Sequence, residues 1–163
     1  HSIMPPTHFF YGEPSHPAPN RPLALTISAI VRHPEHPDRI LVDRRSDNGL
    51  WATLGGVVDS HEHPEDALVR EVAEETGLTV VDHKLIGVLA DRSMIVAYPD
   101  GNVVPQVNLC YDVHVAPPGE PRLSDEAHEL RYLTLPEALR LDLVSPARFQ
   151  LEQIAAGRLR FLG

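Results

Sequence analysis

Residues 56–78 read GVVDSHEHPEDALVREVAEETGL, and this stretch decides the fold. Pro64 suits the first turn of a helix and Gly77 suits a left-handed helix end, so the pattern predicts a helix over Pro64–Thr76. Helical periodicity places an apolar sector on one side of this helix, which we expect to face the core. The sector comprises Leu68, Val69, Val72, Ala73 and Thr76.

Three carboxylates share another face of the same helix. At about 100° per residue, Glu74 lies about 60° to one side of Glu71 and Glu75 about 40° to the other. Like charges one turn apart repel each other, and Arg70 offsets only part of this repulsion. A divalent cation such as Mg²⁺ offsets the rest, because it takes oxygen ligands and tolerates several carboxylates. The alternative, on spacing alone, is a solvated acidic helix face.

The residues before the helix favour the metal site. Gly55 and Gly56 let the backbone pass close to the acidic face, where a backbone carbonyl supplies one more oxygen ligand. Glu62 is expected to cap or brace the loop that leads into the helix. His61 and His63 are expected to be solvated loop residues, with phosphate contact as the alternative.

The segment resembles the Nudix box, G-x5-E-x7-R-E-U-x-E-E-x-G-U, in which U is an aliphatic residue. Every defined position matches, with Gly56, Glu62, Arg70, Glu71, Val72, Glu74, Glu75, Gly77 and Leu78 in that order. One flanking position departs from the family pattern, because Leu54 stands where a proline usually precedes the glycine pair. This change is expected to alter the approach of the strand without touching the metal ligands.

The resemblance implies a fold and an activity. The fold is an α/β class, Nudix-type α/β/α sandwich with a mixed β-sheet. The activity is hydrolysis of the pyrophosphate bond in a nucleoside diphosphate linked to another moiety, with Mg²⁺ as cofactor and Mn²⁺ as the alternative ion. ADP-ribose, nucleotide sugars and nucleoside triphosphates all remain open as substrates. A non-catalytic Nudix domain that senses a nucleotide or serves as an interaction module is the alternative, although the complete set of box glutamates favours hydrolysis.

The resemblance also carries roles to individual residues. Glu71, Glu74 and Glu75 are expected to bind metal, with the carbonyl of Gly55 as a further ligand. Arg70 is expected to pair with a box glutamate and orient it. The residues expected to take part in catalysis are Arg70, Glu71 and Glu74, together with a distal carboxylate.

The distal carboxylate is expected in the segment 119–129. Glu126 and Glu129 lie just before a predicted strand, and Glu126 best fits the family pattern of an acidic residue preceding a Leu-Arg-aromatic strand. The general base stays open between Glu126, Glu129 and a box glutamate. The alternative is that both distal residues are surface charges of a loop.

Substrate contacts are expected near the box. Arg44 or Arg45, at the end of a predicted strand, suits a phosphate, and Trp51 suits stacking on a base. Two alternatives stay open, since Arg45 can pair with Asp47 and Trp51 can be a core aromatic.

Composition narrows the function classes. The 163 residues include 14 Lys+Arg and 23 Asp+Glu, for a net charge of −9, which argues against binding a nucleic acid polymer. A metal between protein and phosphate still permits a small nucleotide substrate. A single cysteine, Cys110, excludes an internal disulfide and suggests a cytoplasmic protein. No apolar run approaches the roughly 18 residues of a membrane span.

Outside the box, residues 1–22 contain six of the 16 prolines and are expected to form an extended arm, with a single domain over 23–163. Phe9, Phe10 and Tyr11 of the arm either cover the domain's own core or pack on a partner subunit, and a homodimer is expected. Strands are predicted at Leu23–Val31 and Ile40–Arg45, paired as a hairpin, and at 51–58, 85–90, 107–115 and 130–133. Helical segments are predicted at 136–140 and 146–156.

Overall fold

The computed structural model describes residues 6–123, 129–158 and 160–163. Within these residues lie nine strands, β1 (His8–Phe9), β2 (Ala24–Arg32), β3 (Arg39–Arg44), β4 (Trp51–Val57), β5 (Val80–Leu89), β6 (Ile95–Ala97), β7 (Val103–Val115), β8 (Glu129–Thr134) and β9 (Phe161–Leu162). The helices in the same part of the chain are α1 (Pro64–Thr76), α2 (Leu135–Leu139) and α3 (Ser145–Ala155). None of these helices has the length and apolar character needed to cross a membrane.

The strands form a mixed sheet. Its order is β1-β6-β7-β2-β4-β3-β8, and β5 pairs with both β7 and β9. β2 and β7 run parallel from the Ala24–Gln106 pair to the Arg32–His114 pair, whereas β4 is antiparallel to both β2 and β3. The predicted mixed sheet is therefore confirmed.

The predicted hairpin between β2 and β3 is confirmed only next to its turn. These two strands share only the Arg32–Ile40 pair, and β4 lies between them for the rest of their length. The turn after β3 is closed by Gly49 in the left-handed conformation (φ 72°) and brings β4 back beside β3. The other edge of β4 then pairs with β2, which places the glycine pair in the interior of the sheet.

Helices cover both faces of the sheet. On one face, α1 packs Leu68 and Val72 against a cluster that includes Ile27, Leu41 and Leu54. On the other face, residues of α2 and α3 pack against a second cluster, whose members include Ile30, Val42, Ala138, Ala147 and Leu151. This arrangement is the expected α/β/α sandwich.

Helix α1 has the predicted bounds. Nδ1 of His63 accepts a hydrogen bond from the backbone N–H of Glu65 at 3.3 Å and so caps the first turn, while Gly77 ends the helix in the left-handed conformation (φ 74°). The predicted apolar sector is only partly correct. Val69 is 43% exposed and Ala73 is also exposed, because the buried face turns toward Ala67 instead.

Two strands are longer than predicted and a third was not predicted, for one reason. β5 begins at Val80 rather than Leu85 and pairs with β7, which itself begins at Val103 rather than Val107. The short strand β6 was not predicted and pairs with the early part of β7. These lengths follow from pairing with a distant strand, which local alternation does not reveal.

The N-terminal arm contacts its own domain. β1 pairs with β6, and Phe9 and Tyr11 pack against the apolar cluster on the α2–α3 face. The guanidinium carbon of Arg45 lies 4.9 Å from the centre of the Phe9 ring, in cation–π geometry. The arm therefore covers part of the domain's own core, and the homodimer stays a prediction.

Candidate active site

The acidic face of α1 lies directly on the glycine pair of β4. A Cβ atom added to Gly56 would lie 2.4 Å from Oε1 of Glu71, so only glycine leaves room for that carboxylate. One residue further along β4, the carbonyl oxygen of Val57 accepts a hydrogen bond from Arg70 at 3.3 Å. The helix and the strand therefore run in opposite directions, and the carboxylates follow β4 back toward Gly55.

The two glycines predict different outcomes for alanine substitution. In Gly55→Ala the new Cβ would lie 2.0 Å from the backbone carbonyl oxygen of Ile27, so the pairing of β2 with β4 must break and the thermal midpoint should fall steeply. In Gly56→Ala the clash is with a side chain, which can rotate away. We expect this variant to stay folded and to lose metal affinity because Glu71 is displaced. Thermal melts and Mn²⁺ titration would measure the contrast, and equal losses of stability would contradict it.

Arg70 is the central cation of the site. Its Nε and Nη2 donate to both carboxylate oxygens of Glu62, at 2.8 and 2.9 Å. Its Nη1 donates to Glu71 at 3.0 Å and to Glu74 at 3.2 Å. Glu62 also accepts from the backbone N–H of Asp59 at 3.2 Å, so it braces the loop before α1. The pairing with Arg70 lowers the pKa of Glu62 to about 2.

The three glutamates expected to bind metal differ in environment. The side chain of Glu74 is 59% exposed and that of Glu71 is 16% exposed. Glu75 is more enclosed, and its Oε1 atom is buried without a hydrogen-bond partner. Burial, followed by the charges of Asp43 and Glu71, raises the pKa of Glu75 to about 9. The buried Oε1 atom of Glu75 therefore lacks a compensating positive charge.

These residues fit a divalent metal ion. The donors are carboxylate oxygens, which hard cations prefer, and the buried oxygen of Glu75 lacks the partner that an ion would supply. Within the described ranges, no three acidic, imidazole or thiol side chains already converge as a ligand set. Glu71 and Glu74 are held by Arg70 instead, so loading an ion requires their carboxylates to rotate.

Stability of the metal-free protein should depend on pH in the alkaline direction. Glu75 titrates near 4.5 when unfolded and near 9 when folded, so the folded state holds the extra proton between these values. Its contribution is fully present below about pH 4.5 and is lost as the pH rises through 9. In EDTA, the thermal midpoint should fall between pH 6 and pH 9, by roughly 2–4 °C per kcal/mol lost. Mg²⁺ should reverse this fall, and a flat midpoint would contradict the assignment.

One buried carboxylate of this region was not predicted. Asp43 on β3 is largely buried, and its Oδ1 atom has no hydrogen-bond partner. Burial is the main cause that raises its pKa to about 6; the charge of Arg45 acts in the opposite direction. The available sequence signal is an aspartate that follows three apolar residues in the predicted strand ILVDRR.

The structure separates the residues predicted to contact substrate. Arg45 donates twice to Asp47, at 2.8 and 2.6 Å, which is the alternative left open for it. Arg44 lies at the exposed end of β3, where its Nε donates to the carbonyl of Gly49 at 3.3 Å. Trp51 is only 9% exposed and belongs to the core, so base stacking by Trp51 is replaced by its core alternative.

Of the two distal carboxylates, only Glu129 lies among the residues that the structure describes. Glu126 lies outside the described residues, so its role stays a prediction. Glu129 begins β8 opposite Arg44, and its carboxylate pairs with Arg131. The guanidinium carbon of Arg131 also lies 5.6 Å from the centre of the Trp51 ring.

A cavity lies on the other side of the glycine pair. It is bounded by Phe9, Arg45, Tyr98, residues of β2 and β4 that include Gly55 and Gly56, and the start of α3. Its floor is a hydrogen-bonded chain in which Thr53 donates to Gln150, Gln150 donates to Asn108, and Asn108 donates to Thr26 and Ser28, at 2.9–3.0 Å. Gly55 and Gly56 thus border both the acidic face and a polar-floored cavity.

A mixed sheet between helices, with one helix presenting carboxylates over a glycine pair beside a cavity, defines the class of Nudix-fold proteins. A model of the NUDIX domain matches residues 22–153. The chain therefore belongs to the Nudix family.

Individual relatives agree with this assignment. The chain is 32% identical over 117 residues to an ADP-ribose pyrophosphatase of Methanocaldococcus jannaschii, covering 69% of this chain and 62% of that protein. It is 50% identical over 50 residues to a MutT-like protein of Streptomyces ambofaciens, covering 31% of this chain and 32% of that protein. The matches therefore span less than two thirds of these relatives.

Solved structures give the same fold. A MutT Nudix hydrolase from Burkholderia pseudomallei superposes with a TM-score of 0.65 at 28% identity, covering 83% of this chain and 99% of that one. The Nudix domain of Shewanella oneidensis NrtR, solved with ADP ribose, gives a TM-score of 0.65 at 20% identity, covering 90% and 93%. The second likeness concerns the fold alone.

Proposed function

We propose that this Nudix protein is a pyrophosphohydrolase that cleaves the pyrophosphate bond of a nucleoside diphosphate linked to another moiety, with Mg²⁺ as cofactor and Mn²⁺ as the alternative. The observation that carries the proposal is the position of Gly55 and Gly56 between two features. The carboxylates of Glu71 and Glu75 lie on one side of the pair, and the cavity lies on the other. The proposal places the pyrophosphate beside this glycine pair, next to both the carboxylates and the cavity.

The chemistry needs a positive charge between an acidic protein and an acidic substrate. A bound divalent ion would neutralise the phosphate oxygens and lower the pKa of the attacking water. The oxygen of that water forms a bond to one phosphorus atom, and the bond from this phosphorus to the bridging oxygen breaks. Hydrolysis then gives two phosphate products.

The chain's own residues supply positioning and proton transfer. Glu71, Glu74 and Glu75, with the carbonyl of Gly55, would hold the ion. Arg70 acts through Glu71, because its hydrogen bond fixes the orientation of that carboxylate. The proton of the attacking water goes to a carboxylate, and Glu126, Glu129 and a box glutamate remain the choices.

The substrate class rests on the cavity and on a relative. The cavity has a polar floor and includes Arg45 and Tyr98 in its lining, which suits a nucleoside, and the exposed Arg44 suits a phosphate. The Methanocaldococcus jannaschii relative bears the name ADP-ribose pyrophosphatase. We therefore place ADP-ribose first, followed by nucleotide sugars and nucleoside triphosphates. A cytoplasmic homodimer stays part of the proposal.

A substrate panel tests the proposed function. The purified full chain is incubated with Mg²⁺ and ADP-ribose, a nucleotide sugar or a nucleoside triphosphate. Phosphate is measured after coupling to a phosphatase for the first two compounds and to a pyrophosphatase for the triphosphate. We expect turnover of at least one compound and its loss in EDTA. Binding of ADP-ribose without turnover of any compound would support the nucleotide-sensing alternative instead.

A further inference from the structure

We infer that Asp43 is a metal-site carboxylate contributed by the sheet, facing the ion that Glu71 and Glu75 of α1 would hold. The inference deepens the proposed function and rests on it for the presence of an ion. The box motif does not include Asp43, which lies 13 residues before Gly56 on a different strand.

Asp43 lies on the side of the sheet that α1 covers. Side chains alternate along a strand, so Asp43 points to the same face as Leu41, which packs in the α1 cluster. α1 runs antiparallel to β4, and β4 runs antiparallel to β3, so α1 and β3 run in the same direction. Asp43 follows Leu41 on β3 just as Glu75 follows Val72 on α1. The two carboxylates therefore lie at the same end of the α1–sheet interface.

In the described part of the chain, Asp43 has no alternative partner for its buried oxygen. Among the residues that the structure describes, Oδ1 of Asp43 is a buried oxygen without a hydrogen bond, and Oε1 of Glu75 is another. The cross-strand neighbours of Asp43 are Ala52 and Leu130, which cannot pair with a carboxylate. Arg45, two residues further along the chain, makes its two carboxylate hydrogen bonds to Asp47 instead.

Asp43 and Glu75 are both carboxyl groups with a buried, unpartnered oxygen, and Asp43 lies on the side of the sheet that α1 covers. Burying a carboxylate beside other carboxylates is costly unless a cation compensates them. Within the described chain, Arg70 reaches Glu71 and Glu74 but makes no hydrogen bond or ion pair with Asp43. A divalent ion between the sheet and the helix satisfies both buried oxygens.

Calorimetric titration of the full chain with Mn²⁺ tests the inference without measuring hydrolysis. The variants are Asp43→Asn and Asp43→Val, and the matched control is Asp82→Asn on the exposed part of β5. We expect the Kd for Mn²⁺ to rise about tenfold or more in both Asp43 variants and to stay near the wild-type value in the control. Wild-type affinity in the Asp43 variants would overturn the inference.

Thermal melts separate a metal role from a structural one. In EDTA, both Asp43 variants should melt at or above the wild-type midpoint, because a buried unpaired charge has been removed. The rise in midpoint on adding Mn²⁺ should be smaller than in the wild type. A fall of the midpoint in EDTA, with the Mn²⁺-induced rise unchanged, would show that Asp43 supports the fold only and would overturn the inference.

The two proposals can fail separately. A wild-type protein that turns over no nucleotide but binds Mn²⁺ in an Asp43-dependent manner retains the inference and loses the hydrolase function. If the wild type turns over a nucleotide and the Asp43 variants bind Mn²⁺ normally, the hydrolase function is retained and the inference is lost. A wild-type protein that binds no Mn²⁺ overturns both.

Discussion

Replacing Glu75 with glutamine is expected to lower the rate of hydrolysis by about a hundredfold or more while leaving the protein folded. Glutamine keeps the shape of the side chain but removes the charge that a divalent ion needs. The Oε1 atom of Glu75 is buried, so water cannot easily replace this oxygen as a ligand. The measurements are turnover of the best substrate and the Kd for Mn²⁺.

The stability of this variant gives an independent check. Glu75 tends to remain protonated in the metal-free protein, so a neutral amide should fit the same place. In EDTA at pH 8, Glu75→Gln should melt at or above the wild-type midpoint, and Mn²⁺ should raise its midpoint less. Glu65→Gln, an exposed glutamate in the first turn of the same helix, serves as the control and should keep wild-type activity. Full activity in Glu75→Gln would exclude Glu75 as a metal ligand.

The sequence predicts α1 well because the signals that define it are local. Pro64, Gly77 and the helical period of the apolar residues lie within one segment, so no distant contact is needed to read them. The box glutamates come with the helix. The sequence does not predict the unequal burial of these glutamates, because their burial depends on how the helix packs on the face of the sheet.

The order of the sheet needs information that a single segment does not hold. β2 and β3 are neighbours in sequence, and a hairpin is the simplest pairing for them. Both strands instead pair with β4, which returns beside β3 after the turn at Gly49. Strand order follows from the total burial of several strands, so local alternation predicts strand existence better than strand partners.

Asp43 and Arg45 show the same limit at the site. In the sequence both belong to a polar strand end, and nothing local separates a solvated aspartate from a buried one. The structure buries Asp43 because β3 packs beneath α1, and it commits Arg45 to Asp47 and to the ring of Phe9. The arm that supplies Phe9 lies more than 30 residues away in sequence. Only tertiary packing assigns these two charges.

Replacing Arg70 with alanine is expected to reduce both stability and activity, since this side chain neutralises several carboxylates at once. Arg70 donates to Glu62, Glu71 and Glu74, and its Nη2 lies 3.6 Å from Asp59. Without it, these carboxylates repel one another and the loop before α1 loses its link to the helix. In EDTA the thermal midpoint should fall by roughly 5 °C or more.

The activity of Arg70→Ala should fall about tenfold to a hundredfold, because Glu71 loses the hydrogen bond that orients it. Arg70→Lys separates charge from geometry: a single ammonium keeps the charge but cannot donate to Glu62 and Glu71 in the planar arrangement of a guanidinium. We therefore expect the lysine variant to recover more stability than activity. Added Mg²⁺ should restore part of the lost midpoint in Arg70→Ala by neutralising the carboxylates that arginine had paired. Arg92→Ala, at an exposed turn, is the control for loss of one positive charge, and an equal fall in its midpoint would contradict a specific role for Arg70.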